Sequence, residues 1–269
     1  MQTHDPQLMG TFALRTSPNH VPEKRAIIFM ESRDSVSFME YQVRVMEVVS
    51  HGNFAFSVRF KRPSAFPYLP GQYMFITIGT GSTALTKHLT LSSSPSNAYL
   101  EVTKGSTGHP FAEALRALKA GDEVVIRGPF GDFTFHGEYA KVAFIAGGIG
   151  ITPFWSMMRY ATGMRLDTDI RLLCSAKIEP EILFREEMAE LSLVNPHLGI
   201  ITTLTEPGPG WTGRTGRINA DMIVQEIPDW QERVFFVSGP PAMVNAMLSV
   251  LREMGLTEDR IRSESFPGY

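Results

Sequence analysis

Hydrophobic and polar residues do not keep one rhythm along this chain. From about Met39 the rhythm is that of strands. Residues 41–49 alternate in part and residues 53–60 alternate well, which predicts Phe54, Phe56, Val58 and Phe60 on one face. Further short apolar runs follow at 73–78, 89–92, 100–103 and 123–127. Pro70-Gly71, Ser94-Pro95, Ala120-Gly121-Asp122 and Gly128-Pro129 supply the turns between them. Six strands at this spacing predict a six-stranded antiparallel barrel, interrupted by one helix near 110–119.

After about Gly137 the rhythm changes. Residues 141–146 form a nearly continuous apolar run, as a parallel strand covered on both faces does. Strands at 170–175, 199–204 and 234–238 then alternate with helices at 182–191, near 219–225 and at 242–253, and a short strand ends the series. This predicts a Rossmann-like parallel α/β sheet. Residues 1–36, with Pro6, Pro18 and Pro22 and little periodicity, read as a loop or loosely docked arm. The expected division is an extension at 1–36, a barrel domain at 37–136 and an α/β domain at 137–269.

A length of 269 residues suits two domains, and 43% hydrophobic with 20% charged residues leaves material for two cores. The net charge of −3 lacks the basic footprint of a nucleic-acid binder. No apolar run approaches the length of a membrane span, and the early run at 26–30 is too short for a signal-peptide core, so a cytoplasmic protein is expected. Cys174 is the single cysteine, which excludes an intrachain disulfide and a four-thiolate iron–sulfur cluster. The seven histidines show no metal-ligand spacing, and no metal site is expected.

The chemistry-bearing signals lie at strand ends. Ala146-Gly-Gly-Ile-Gly-Ile-Thr-Pro153 joins the first parallel strand to a helix. Its glycines permit a tight turn and close ligand approach, and the helix N-terminus offers free N–H groups to a pyrophosphate. It is neither GxGxxG nor a P-loop, and alone it is equally an ordinary βα turn. Val237-Ser-Gly-Pro-Pro-Ala-Met243 makes a second such turn at the same sheet edge. Two together line the crevice where open α/β sheets take nucleotides.

In order along the chain, Lys87-His-Leu-Thr-Leu-Ser-Ser-Ser-Pro95, Lys104-Gly-Ser-Thr-Gly-His-Pro-Phe111, Gly128-Pro-Phe-Gly131, the two glycine turns and Glu264-Ser-Phe-Pro-Gly-Tyr269 resemble the ferredoxin–NADP reductase superfamily of flavoproteins. The resemblance implies a FAD-binding barrel followed by an NAD(P)-binding domain. The first segment resembles that family's Arg-x-Tyr-Ser motif, with Lys87, Leu89 and Thr90 in place of Arg, aromatic and Ser. It implies FAD contacts at Lys87, His88, Leu89, Thr90, Leu91 and Ser92, with the Thr90 hydroxyl near flavin N5. Lys104, Gly105, Ser106, Thr107, Gly108, Pro110 and Phe111 resemble the segment that holds the pyrophosphate. A polar turn capped by Thr107 is the plain alternative.

For the dinucleotide, the resemblance implies Gly148, Gly150, Thr152, Ser175, Lys177, Glu206, Gly239, Pro240 and Met243. Ser238 stands where Cys is frequent beside the nicotinamide, Glu264 matches an acidic residue that relays protons, and Tyr269 matches a terminal aromatic that stacks on the flavin. Thr90, Ser238, Glu264 and Tyr269 are thus the expected catalytic residues. Glu206 falls where NADPH-specific relatives carry a basic pair, which leans the expectation to NADH, although Lys177, Arg214 and Arg217 offer partners to NADPH. The activity implied is hydride transfer from NADH or NADPH to FAD, then single electrons to a separate carrier: ferredoxin, flavodoxin or an oxygenase component. Arg44, Arg59, Lys61 and Arg62 offer such a carrier a basic face, or are a solvated surface. Two other readings stay open: a reductase of free flavin, ferric complexes or quinones, and a non-catalytic subunit that retains the fold.

Overall fold

The computed structural model describes residues 39–266; the 1–36 extension and Tyr269 lie outside the described residues. Strands β1 (Met39–His51), β2 (Ala55–Lys61), β3 (Tyr73–Ile78), β4 (Leu85–Thr90), β5 (Tyr99–Gly105) and β6 (Glu123–Phe130) form one antiparallel sheet in the order β4-β3-β6-β1-β2-β5. An isolated bridge between Leu91 and Val102 links the two ends of that order, so the sheet curls into a barrel. Alternation fills its interior with Val43, Val58, Phe60, Met74, Ile76, Leu100, Val102 and Ile126, and helix α1 (Pro110–Arg116) adds Phe111 and Leu115. Phe54 departs from its expected place. It precedes β2, in the β1–β2 turn, and is exposed, because alternation has no meaning once the chain leaves the ladder.

The second sheet holds β7 (Lys141–Gly147), β8 (Asp169–Ala176), β9 (Leu198–Leu204), β10 (Arg214–Thr215), β11 (Val234–Gly239) and β12 (Ile261–Ser265). It is parallel throughout, in the order β10-β9-β8-β7-β11-β12. Four helices cover it: α2 (Ile151–Gly163), α3 (Arg185–Val194), α4 (Ala220–Glu226) and α5 (Pro241–Glu253). The continuous apolar character of β7 follows from being covered on both faces. Phe144 packs with Phe154 of α2 and Met188 of α3, whereas Ala143 and Ile145 pack with Met222 of α4 and Val244 and Leu251 of α5. Each fully buried Phe contributes about 2 kcal/mol.

Local signals set the helix ends. The Asn219 side chain accepts from the Met222 N–H at 2.9 Å and starts α4. α3 begins at Arg185 rather than 182, because Phe184 adopts a left-handed φ of 57° that no helix interior accepts.

Two features position a site. The chain runs from β7 out to β8 and β9, then returns to lay β11 on the other side of β7, so the sheet's direction of growth reverses between β7 and β11. The barrel closes over the same sheet: Phe133 lies 5.8 Å from the Phe154 ring and 5.5 Å from the Phe236 ring, in one cluster with Ala55 and Phe135.

Candidate functional site

The first part of the site is the gap between β4 and β5. Pairing with β3 sets Met74 opposite Leu89 and Ile76 opposite Lys87, while Tyr73 faces Thr90 and Phe75 faces His88. Leu89 and Leu91 therefore enter the barrel core, as Phe111 does. Ser92 is fully buried and shares a 2.9 Å hydrogen bond with Thr103. The side chains of Leu89 and Leu91 are thus spent on the barrel core together with Phe111 of α1, and that of Ser92 on its bond to Thr103, so at these four positions the backbone is what faces the gap least encumbered. Lys87 and His88 are exposed, and Thr90 is nearly buried at the end of the strand.

Lys104 of β5 stands across the gap. Burial, and then the neighbouring charge of Lys87, push its ammonium down to about 8. After it, Gly105 and Ser106 turn the chain. The Ser106 hydroxyl accepts from Arg116 at 3.0 Å, and Gly108 takes a left-handed φ of 67°. The Thr107 hydroxyl is buried with no partner, and His109 holds the cap position of α1 before Pro110, so Thr107 is not the helix cap. Two cations held near one another and an unsatisfied hydroxyl fit an incoming diphosphate, which offsets the repulsion and gives the hydroxyl a partner.

The second part is the crevice where the parallel sheet reverses. A Cβ on Gly150 would lie 2.4 Å from the Ser238 carbonyl oxygen and 2.6 Å from Gly239 Cα, so this glycine lets the two βα turns touch. Gly148 differs. Its φ is +52° and a Cβ would meet nothing within 4 Å, so it faces open space, as a backbone that receives a ligand does. Thr152 donates its hydroxyl to the Ile149 carbonyl at 3.0 Å and is committed to the start of α2. Met243 packs under both turns: its sulfur would lie 2.2 Å from a Cβ on Gly147 and 3.0 Å from one on Gly239. Pro240 caps α5 and is exposed.

In the same row Ala146, Ser238 and Glu264 are in register on β7, β11 and β12, on the sheet face that the barrel covers. Ser238 is fully buried with its hydroxyl unpaired, and one oxygen of Glu264 is buried and unpaired as well. Burial pushes the Glu264 carboxyl up to about 7. An orphaned hydroxyl costs about 1–3 kcal/mol, so two polar groups left unmatched at one crevice point to a ligand that satisfies them.

Farther along the edge, Ser175 is half-buried near the end of β8, and Lys177 reaches Glu206 at 3.3 Å with both side chains largely exposed. Arg214 turns instead to Glu226. Trp211 was not singled out from sequence. It donates to the Arg214 carbonyl at 2.8 Å under the Arg185 guanidinium, and its indole would meet any Cβ on Gly213. A lone Trp in a glycine-rich loop carries no sequence signal of that packing.

The basic set is largely spoken for. Arg44 pairs with Glu123 at 3.1 Å, and Arg59 with Glu101 and Glu47, both at 2.6 Å. Arg62 caps the carbonyls of Pro95, Asn97 and Phe66. Among the described residues no group of three or more acidic, His or Cys side chains is placed to hold a metal, and no helix is long and apolar enough to cross a membrane.

Comparison with known proteins places a family on each half of the chain. Residues 40–135 match the oxidoreductase FAD-binding domain family and residues 144–248 the oxidoreductase NAD-binding domain family. The reductase subunit of glycine betaine monooxygenase from Chromohalobacter salexigens is 29% identical over 212 residues, which cover 76% of this chain and 58% of that protein. The match thus spans little more than half of that relative's length. NADH-cytochrome b5 reductase 1 of Neosartorya fischeri is 28% identical over 236 residues, covering 83% of this chain and 76% of that protein. A ferredoxin NADP+ reductase from Neisseria gonorrhoeae, solved with FAD and NADP bound, shares the fold with a TM-score of 0.73 at 18% identity over 84% of this chain and 98% of that one.

Proposed function

We propose that this chain, which belongs to the oxidoreductases built from a FAD-binding and a NAD-binding domain and has the fold of ferredoxin NADP+ reductase, oxidises NAD(P)H through FAD and hands the electrons to a separate carrier protein. The observation that carries the reading is the Ser238–Glu264 row, two unmatched polar groups in a crevice that the barrel covers. When bound, FAD supplies the conversion of an electron pair, received as hydride, into electrons released singly.

The chain's own residues do the rest. Lys87 and Lys104 hold the FAD diphosphate, with Thr107 and the backbone at 105–108. The Thr90 hydroxyl donates toward the flavin at the edge of the gap. Gly148 presents backbone to the dinucleotide, and Ser238 bonds beside the nicotinamide. Glu264, protonated over much of the neutral range, keeps a proton near the reacting rings. The aromatic packing around Phe133, Phe154 and Phe236 excludes water and keeps the two halves together, so that the transfer takes place within one assembled site. Glu206 favours NADH by accepting from a ribose hydroxyl and repelling a 2′-phosphate.

One observation favours a second reading, a reductase of free flavin, ferric complexes or quinones: Arg44, Arg59 and Arg62 are held by partners within the barrel, which weakens the basic docking face. Stopped-flow reoxidation separates the two. Reduced protein should transfer electrons much faster to an acidic one-electron carrier such as ferredoxin than to free FMN; the reverse order refutes the carrier assignment.

A further inference from the structure

Ser156 lies one helical turn after Thr152 on α2 and is completely buried. A serine inside a helix ordinarily bonds back to its own helix. This one donates across the seam, to the Ser93 carbonyl at 2.5 Å. Ser93 is itself held from the barrel side. Its carbonyl accepts from the Tyr68 hydroxyl at 3.1 Å, and its side-chain oxygen shares a 2.8 Å bond with Tyr68 and accepts from the Glu101 N–H at 3.0 Å. Three residues before Ser93 stands Thr90, at the flavin gap. Directly before α2 stands the glycine turn. One buried hydrogen bond therefore ties the segment that carries one candidate ring site to the helix that carries the other. Along the same helix face Arg159 repeats the link by donating to the Tyr99 hydroxyl at 3.1 Å.

We propose that Ser156 is a positioning residue for hydride transfer: its bond to Ser93 sets the separation between the strand end at Thr90 and the glycine turn at 147–150. The proposal rests on the function argued above. The aromatic cluster holds the two halves together without this bond, so its loss slackens the approach of the rings and leaves each ligand's own contacts in place.

The test compares FAD-loaded wild type, Ser156→Ala and Thr162→Val. Thr162 lies on the same helix, but its hydroxyl accepts from Asn195 at 2.8 Å and does not cross the seam. The readouts are thermal midpoint, dissociation constants for FAD and NADH, the long-wavelength charge-transfer absorbance of stacked nicotinamide and flavin, and the anaerobic rate of flavin reduction. Ser156→Ala should keep both dissociation constants within about twofold, lose most of the charge-transfer absorbance and slow reduction about tenfold, as a small misplacement of reacting groups does. Thr162→Val should lower the midpoint comparably and leave absorbance and rate unchanged. The proposal is overturned if Ser156→Ala matches wild type in absorbance and rate, if it loses FAD outright, or if Thr162→Val shows the same slowing. A wild type that neither NADH nor NADPH reduces refutes the functional reading itself, and this inference with it.

Discussion

FAD binding should take up a proton at alkaline pH, and Lys104 is the group that takes it. In the free protein the Lys104 ammonium is pushed from its ordinary 10.5 to about 8 by burial and by the charge of Lys87. At pH 9 only about one-tenth of it is then protonated. A diphosphate bound between Lys87 and Lys104 favours the charged form and returns the group toward its ordinary value, at which nearly all of it is protonated. The difference is about 0.9 proton taken up per FAD at pH 9 and close to none at pH 6. The sign for stability follows as well. Between about 8 and 10.5 the unfolded chain binds more protons at this site than the native apoprotein, so the apoprotein gains stability as pH rises through that window. FAD affinity falls over the same window, by up to about tenfold per pH unit. Titration calorimetry of apoprotein with FAD in buffers of different ionisation enthalpy reads the uptake directly, and Lys104→Met should abolish it. Uptake near zero at pH 9, or equal uptake in Lys104→Met, would refute the placement of the diphosphate.

Other expectations follow from the same geometry. Gly150→Ala places a methyl 2.4 Å from the Ser238 carbonyl oxygen and should cost about 1–3 kcal/mol and most NADH binding, whereas Gly148→Ala carries only the left-handed strain of about 1–2 kcal/mol and should keep the fold. Thermal melts with NADH titrations distinguish them. The Glu264 carboxyl is raised from 4.5 to about 7, so the native state binds more protons than the unfolded one in that window, and its contribution to stability is lost as pH rises through 7. Glu264→Gln should flatten that part of the melting-temperature profile. Glu206→Arg should shift selectivity toward NADPH at least about tenfold by giving the 2′-phosphate a charge-assisted partner; unchanged selectivity in steady-state assays would remove Glu206 from the ribose site.

What could be read in sequence was local. The apolar run of β7 and the glycine turns announce themselves because strand and turn chemistry act over a few residues. What could not be read depends on contacts between distant parts of the chain. Arg59 and Arg62 look like a docking face until Glu101 of β5 and the carbonyls of Pro95 and Asn97 arrive beside them. Leu89 and Ser92 belong to a recognisable motif, yet barrel register turns Leu89 inward and Ser92 is buried on its bond to Thr103. The Ser156–Ser93 bond joins residues 63 positions apart, and no spacing rule points to it. β10 is two residues long and has no periodicity to detect.

The central claim is that this chain brings a nicotinamide and a flavin together at one seam. Anaerobic titration of the FAD-loaded protein with NADH tests it most directly. The flavin absorbance should bleach fully at one NADH per FAD. Flavin that dithionite bleaches but that neither NADH nor NADPH alters would contradict it.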